Sequence, residues 1–205
     1  MNTGPCVVVV MAKAPVPGYA KTRLIPALGA DGAAALAKWL LNRTMAAALA
    51  ARLGPVELCC APDTSHSAFN AWANELGVKL TSQGEGDLGE RMARVFERWQ
   101  PAAARVLLIG TDAPRLDAPV LCAAAHALEI QDAVFVPAFD GGYALIGLRQ
   151  PAPQLFIHMP WSTSLVMQHT RERLQAGALH HTELAALHDI DEAADLVHLQ
   201  GLDWR

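Results

Sequence analysis

Between Cys6 and Met11 the chain runs Val7-Val8-Val9-Val10 with no polar residue. Four consecutive β-branched side chains favour extended backbone over helix. A strand that is apolar on both faces must be covered on both, as inside a parallel sheet flanked by helices. The rest of the pattern agrees. Val56–Ala61, 78–81, Arg105–Ile109, Ala133–Pro137 and Tyr143–Leu148 read as further strands, and 179–187 leans the same way. Helices are expected over 31–53, 65–76, 87–99, 118–130, 163–175 and 191–199, with Gly54-Pro55 ending the first and Gly77 capping the second. Strands alternating with helices imply βαβ units and a largely parallel sheet with helices on both faces, an α/β fold. The 205 residues contain no repeat, linker or break in composition, so residues 1–205 are read as one domain.

Composition excludes several classes. Lys and Arg number 16 against 20 Asp and Glu, a net charge of −4, which is not the basic footprint of a nucleic-acid binder. With 52% hydrophobic residues the chain is not disordered. Cys6, Cys59, Cys60 and Cys122 fit neither a zinc ribbon nor a Cys-x-x-Cys redox motif, and read as reduced thiols. The apolar stretch 6–12 is too short for a membrane span, and no basic segment precedes it as in a signal peptide. A cytoplasmic protein is expected.

In an open α/β sheet, ligands bind beyond the carboxyl ends of the strands. The chemically distinctive segments of this chain fall there. Lys13, Lys21 and Arg23 place three cations within eleven residues, directly after the first strand and around Pro15, Pro17 and Gly18. Such a set suits a di- or triphosphate, although it is not a P-loop. The run 84–89 matches G-x-G-x-x-G, but Glu85 and Asp87 would repel a pyrophosphate. Asp87 with Glu90 also reads as a helix capping box. In Gly110-Thr111-Asp112 a carboxylate ends a central strand behind a glycine that permits close approach, a position suited to a divalent metal, or equally to a helix cap or Asx-turn before Pro114. Asp189 and Asp191 alternate, so in extended backbone they point to one side, where either could bind metal and Asp191 could instead cap the last helix. Asp140-Gly141-Gly142 reads first as a hairpin turn, whose glycines would also let a ligand sit against backbone amides. Trp161-Ser162-Thr163 offers an aromatic anchor and a helix cap.

Six motifs in order form a larger pattern: Lys13-Ala-Pro15-x-Pro17-Gly18-x-x-Lys21-Thr22-Arg23-Leu24, the run 86–92, Gly110-Thr111-Asp112-x-Pro114, Pro137-Ala138-x-Asp140-Gly141-Gly142-Tyr143, Trp161-Ser162-Thr163, and Asp189-x-Asp191. The set resembles a bacterial glycosyltransferase-like family related to 2-phospho-lactate guanylyltransferase, some of whose members are labelled arsenosugar-biosynthesis glycosyltransferases. The sequence departs from that pattern at Ala113, where Cys is frequent, and at Arg115, where a small or acidic residue is common.

The resemblance implies the nucleotide-diphospho-sugar transferase (GT-A type) fold, three-layer α/β/α and Rossmann-like with a mixed, mostly parallel sheet, and a metal-bound nucleotide. It implies Mg²⁺ or Mn²⁺ on Asp112, Asp189 and Asp191, and phosphate facing Lys13, Lys21 and Arg23. Gly86, Asp87 and Thr111 join them as expected nucleotide contacts. Catalysis is expected from Lys21, Arg23 and Asp112. Asp140, Gly141, Gly142, Trp161, Ser162 and Thr163 are expected to frame the acceptor. The expected partners are a nucleotide donor and a small-molecule acceptor, with no nucleic acid. Sugar-nucleotide transfer is the first reading. Nucleotidyl transfer from a nucleoside triphosphate to a small phosphorylated acid is the alternative, and a non-catalytic nucleotide-binding domain is the third.

Overall fold

The computed structural model describes residues 5–99 and 105–204. Its centre is one seven-stranded sheet in the order β3-β2-β1-β4-β6-β5-β7. The strands are β1 (Cys6–Lys13), β2 (Val56–Ala61), β3 (Lys79–Ser82), β4 (Arg105–Ile109), β5 (Ala133–Pro137), β6 (Tyr143–Leu148) and β7 (His181–Glu183). Only β6 runs against its neighbours β4 and β5, because it returns from β5 through the short Phe139–Gly142 hairpin. The helices are α1 (Ile25–Ala50), α2 (Ser67–Leu76), α3 (Leu88–Trp99), α4 (Ala118–Ala127) and α5 (Val166–Ala176).

The valine run of β1 is covered on both faces. Val8, Val10 and Ala12 pack with Leu41 and Met45 of α1, Phe69 of α2 and Leu121 of α4. Val7 and Val9 face the other way, with Met92 and Phe96 of α3 and Met167 of α5. Period-two alternation thus divides one strand between two cores. Residues 22–50 are long and apolar enough to cross a membrane by composition alone, and Leu36, Leu40, Leu41 and Met45 among them are buried inside the protein. While Leu41 and Met45 meet the sheet, Leu36 and Leu40 hold Ile190 and Leu199 of the C-terminal segment in a third core.

Several boundaries differ from the sequence reading. Helical backbone starts at Ile25 rather than near 31, interrupted at Gly29, whose φ of 71° and ψ of 168° break the first turn from the long helix. The region 179–187 forms only the three-residue β7 and an isolated bridge between Leu187 and Ala138. The last helix is a 3₁₀ segment, Ala193–Leu199, opened by a Glu192–Asp195 capping box rather than by Asp191.

The first two crossovers move outward from β1 to β2 and β3, and the third returns to place β4 on the other side of β1. The chain therefore leaves the carboxyl ends of the paired strands β1 and β4 in opposite directions along the sheet, with a crevice above them.

Candidate active site

That crevice is a cleft of about 790 Å³. It is lined by four cations, Lys13, Lys21, Arg23 and Arg91, and four carboxylates, Asp112, Asp140, Asp189 and Asp191. Thr111, Gly142, Trp161, Ser162 and Thr163 also line it. Most of the residues singled out from sequence are thus brought to one place, although they span nearly the whole chain.

Three segments are tied together at its edge. Ile190 N–H donates to the Asp112 carbonyl at 2.8 Å, fixing the C-terminal segment to the end of β4. Ile190 itself is fully buried, so Asp189 and Asp191 on either side of it reach the cleft. Lys21 has left-handed backbone (φ 50°, ψ 44°) and an almost buried side chain. Its Nζ lies 2.5 Å from Asp112 Oδ1 and 3.9 Å from Asp191 Oδ1, and donates to the Ile190 carbonyl at 2.5 Å. Arg23 pairs with Asp191 Oδ2 at 2.8 Å and stays exposed. Lys13 and Arg91 have no carboxylate partner among the described residues; Arg91 Nε donates to the Gly86 carbonyl at 2.9 Å.

The acids are not equivalent. Burial pushes the Asp189 carboxyl up to about 6, and the negative charges of Asp140, Asp112 and Asp195 add to the shift. Asp112, Asp189 and Asp191, expected as a metal set, all line the cleft but are held differently. Among the described residues no three His, Cys, Asp or Glu side chains form a ready cage. Asp112 and Asp191 converge on one cation, Lys21 Nζ, while the carboxylate that most affects Asp189 is Asp140. Mg²⁺ and Mn²⁺ favour carboxylate oxygens, and Mg²⁺ needs only one or two of them when phosphate and water complete its shell. The residues present fit such an ion when it is shared with phosphate.

The acceptor-side segments support one another. A Cβ on Gly141 (φ 94°) would overlap the backbone of Ser164, and the Gly141 carbonyl accepts from Met167 N–H at 2.8 Å. Gly141 therefore joins the hairpin to the start of α5 and does not line the cleft. Neither hairpin amide is open to a ligand: Gly141 N–H donates to Ala138 and Gly142 N–H to Asp140 Oδ1. Ser162 has left-handed backbone (φ 63°), and Thr163 Oγ1 donates to Pro160 at 2.7 Å. The Trp161 indole lies against Gly89, where a Cβ would come within 2.8 Å of Nε1. Burial holds the Tyr143 phenol, also on the lining, well above its usual value.

Gly86 and Asp87, expected as nucleotide contacts, lie outside the lining. Asp87 forms the reciprocal capping box with Glu90, at 2.8 and 2.9 Å. A Cβ on Gly86 would meet the Glu90 side chain, so this glycine serves the cap. Gln83 and Arg91 line the cleft but are not among the residues expected from sequence to form it. Gln83 is buried, and its Nε2 donates to the carbonyls of Ala12 and Cys59 at 3.2 and 3.1 Å. It directly follows β3, at the same strand ends, one residue before the glycine run that drew attention. Arg91 belongs to the recurring motif 86–92, but its place on the cleft depends on how α3 packs.

This mixed sheet, with an ion-rich cleft at the reversal of its strand order, is a fold shared with structures described as nucleotide-diphospho-sugar and nucleotidyl transferases. The chain belongs to a family described as uncharacterized protein conserved in bacteria (DUF2064), whose model matches residues 44–163. It is similar to a structure from Desulfovibrio desulfuricans G20 provisionally named a nucleotide-diphospho-sugar transferase, with 29% identity, TM-score 0.88, and 100% of this chain and 91% of that one covered. CMP:2-keto-3-deoxy-manno-octonic acid synthetase complexed with CTP shares the fold at TM-score 0.59 and 11% identity, over 95% and 96% of the two chains. So does Rv0371c from Mycobacterium tuberculosis H37Rv in complex with manganese, at TM-score 0.56 and 16% identity, over 95% and 97%. No curated protein matches the sequence.

Proposed function

We propose that this chain is a single-domain, metal-assisted transferase whose donor is a nucleotide, first of all a sugar nucleotide. The observation that carries the reading is the Lys21–Asp112–Asp191–Arg23 network at the end of β4, inside a cleft large enough for a nucleotide. Its polar groups alternate in sign, as binding of phosphate together with a cation requires. The name given to the Desulfovibrio relative and the manganese found with Rv0371c point the same way. The family resemblance to 2-phospho-lactate guanylyltransferase belongs to this reading too.

Lys13, Lys21 and Arg23 would bind the donor phosphates and stabilise charge on the departing one, with Thr111 and Gly110 allowing close approach. A divalent ion on Asp112 and Asp191, with Asp189 beside them, would supply electrostatic neutralisation of the leaving phosphate. Asp140, Trp161, Ser162 and Thr163 would hold the acceptor on the opposite wall.

One observation favours nucleotidyl transfer as the second reading. Lys13 and Arg91 face the cleft with no carboxylate partner among the described residues, and would suit a pyrophosphate leaving group. A thermal-shift panel with Mn²⁺ separates the two, because stabilisation grows with ligand concentration over dissociation constant. A larger shift with a sugar nucleotide supports glycosyl transfer, and a larger shift with a nucleoside triphosphate supports nucleotidyl transfer. Failure of every nucleotide to shift the melt would overturn both. Binding without turnover of any acceptor would leave a nucleotide-binding domain.

A further inference from the structure

Lys21 is held in a way that simple phosphate binding does not require. A phosphate-binding lysine at the lip of an open cleft can extend outward on its four-carbon stem. Here the side chain turns inward and is 7% exposed, whereas that of Arg23, two residues on, is 61% exposed. The left-handed backbone at Lys21 is a conformation that residues with side chains seldom adopt. The ammonium is surrounded by Asp112 Oδ1, the Ile190 carbonyl and Asp191 Oδ1, which come from the end of β4 and from the C-terminal segment. A compact cation among hard oxygens occupies the kind of place a divalent ion would take.

We propose that Lys21 is the built-in counter-ion of the acidic end of the cleft, filling the divalent cation's position until phosphate draws it away. The inference rests on the reading that the cleft takes a phosphate-bearing donor with a metal. Without a cation there, Asp112 and Asp191 would repel each other and Asp189 nearby. With Lys21 in place, a free divalent ion meets both an occupied position and a like charge. A phosphate group arriving on the open side offers the ammonium new anionic oxygens, and the flexible stem lets it exchange partners. The carboxylates are then released for the metal. Metal and phosphate ligand therefore bind with positive coupling, which is reciprocal by thermodynamic linkage.

The test reads protein-bound Mn²⁺ by electron paramagnetic resonance after ultrafiltration, with no donor and no turnover. The wild-type protein should retain Mn²⁺ at least tenfold more tightly with inorganic tripolyphosphate than without it. Lys21→Met and Lys21→Gln should bind Mn²⁺ alone at least tenfold more tightly than wild type, and should lose most of the gain from tripolyphosphate. Lys21→Arg, which keeps the charge, should stay weak. Wild type holding free Mn²⁺ as tightly as its tripolyphosphate complex overturns the proposal. So do neutral variants that fold, by circular dichroism, yet bind Mn²⁺ no better than wild type. If both neutral variants fail to fold, the wild-type comparison decides alone. A protein with this Mn²⁺ pattern that neither binds nor turns over nucleotide refutes the transferase reading and leaves the counter-ion standing. Turnover together with tight binding of free Mn²⁺ does the reverse.

Discussion

Replacing Arg98 by methionine isolates what it costs to leave a carboxylate buried without its ionic partner. Glu57, in β2, is fully buried. It accepts hydrogen bonds from Thr81 Oγ1 at 2.7 Å and from Trp99 Nε1 at 2.6 Å, and forms an ion pair with the Arg98 guanidinium. Lys79 Nζ lies 3.6 Å away and is half exposed. Methionine retains helix propensity and much of the volume of arginine. Removing one partner of a buried ion pair costs about 3–5 kcal/mol, because the remaining charge stays desolvated. Two neutral donors and Lys79 remain here, so the lower end of that range, about 3 kcal/mol, is expected. For a domain of this size each kcal/mol lowers Tm by about 2–4 °C, so calorimetry should record a fall of about 6–12 °C. The double variant Glu57→Gln/Arg98→Met should recover part of the loss, because the unpaired charge is removed as well. The cluster sits at the start of β2 and β3, away from the strand ends that line the cleft, so the KM of folded protein should not change. A loss under about 1 kcal/mol, or a double variant no more stable than the single, would refute the reasoning.

Other expectations follow from the cleft and its supports. Asp112→Asn should reduce turnover by about two orders of magnitude or more, the scale of removing one group that stabilises transition-state charge, while Tm moves little because the side chain is half exposed. Near-wild-type turnover in that variant would remove Asp112 from the mechanism. Gly141→Ala should destabilise by about 1–3 kcal/mol through its overlap with Ser164 and should raise the acceptor KM, measured at saturating donor. Chelation should abolish turnover, and added Mn²⁺ or Mg²⁺ should restore it. The Arg171 guanidinium, bonded to both Glu183 oxygens at 2.7 Å, holds that carboxyl below its usual 4.5. A lowered folded value means the contribution is complete above pH 4.5 and is lost as pH falls through the lowered value. Both groups touch solvent, so Glu183→Gln should cost no more than about 1 kcal/mol near pH 7 and nothing at strongly acidic pH.

The sequence alone determined the alternation of elements, because apolar period and punctuation are local properties. Val7–Val10 reads as an enclosed strand, Gly77 as the cap of α2, and Asp87 with Glu90 as a capping box for α3 beside its reading as a nucleotide contact. It also marked the segments at the strand ends, where cations, aspartates and glycines cluster within short stretches. Tertiary structure decided how those segments meet. The alternation of Asp189 and Asp191 was legible, but it required buried Ile190, packed under α1, to turn both acids to the cleft. Arg91 and Gln83 reach the cleft only through the placement of α3 and β3. Glu57, a charged residue within a strand, is a core residue because the end of α3 brings Arg98 and Trp99 over it. The pairing of Lys21 with Asp112 and Asp191 joins residues up to 170 positions apart. Such contacts depend on strand order, and strand order is set by the packing of the whole sheet rather than by any local run of residues.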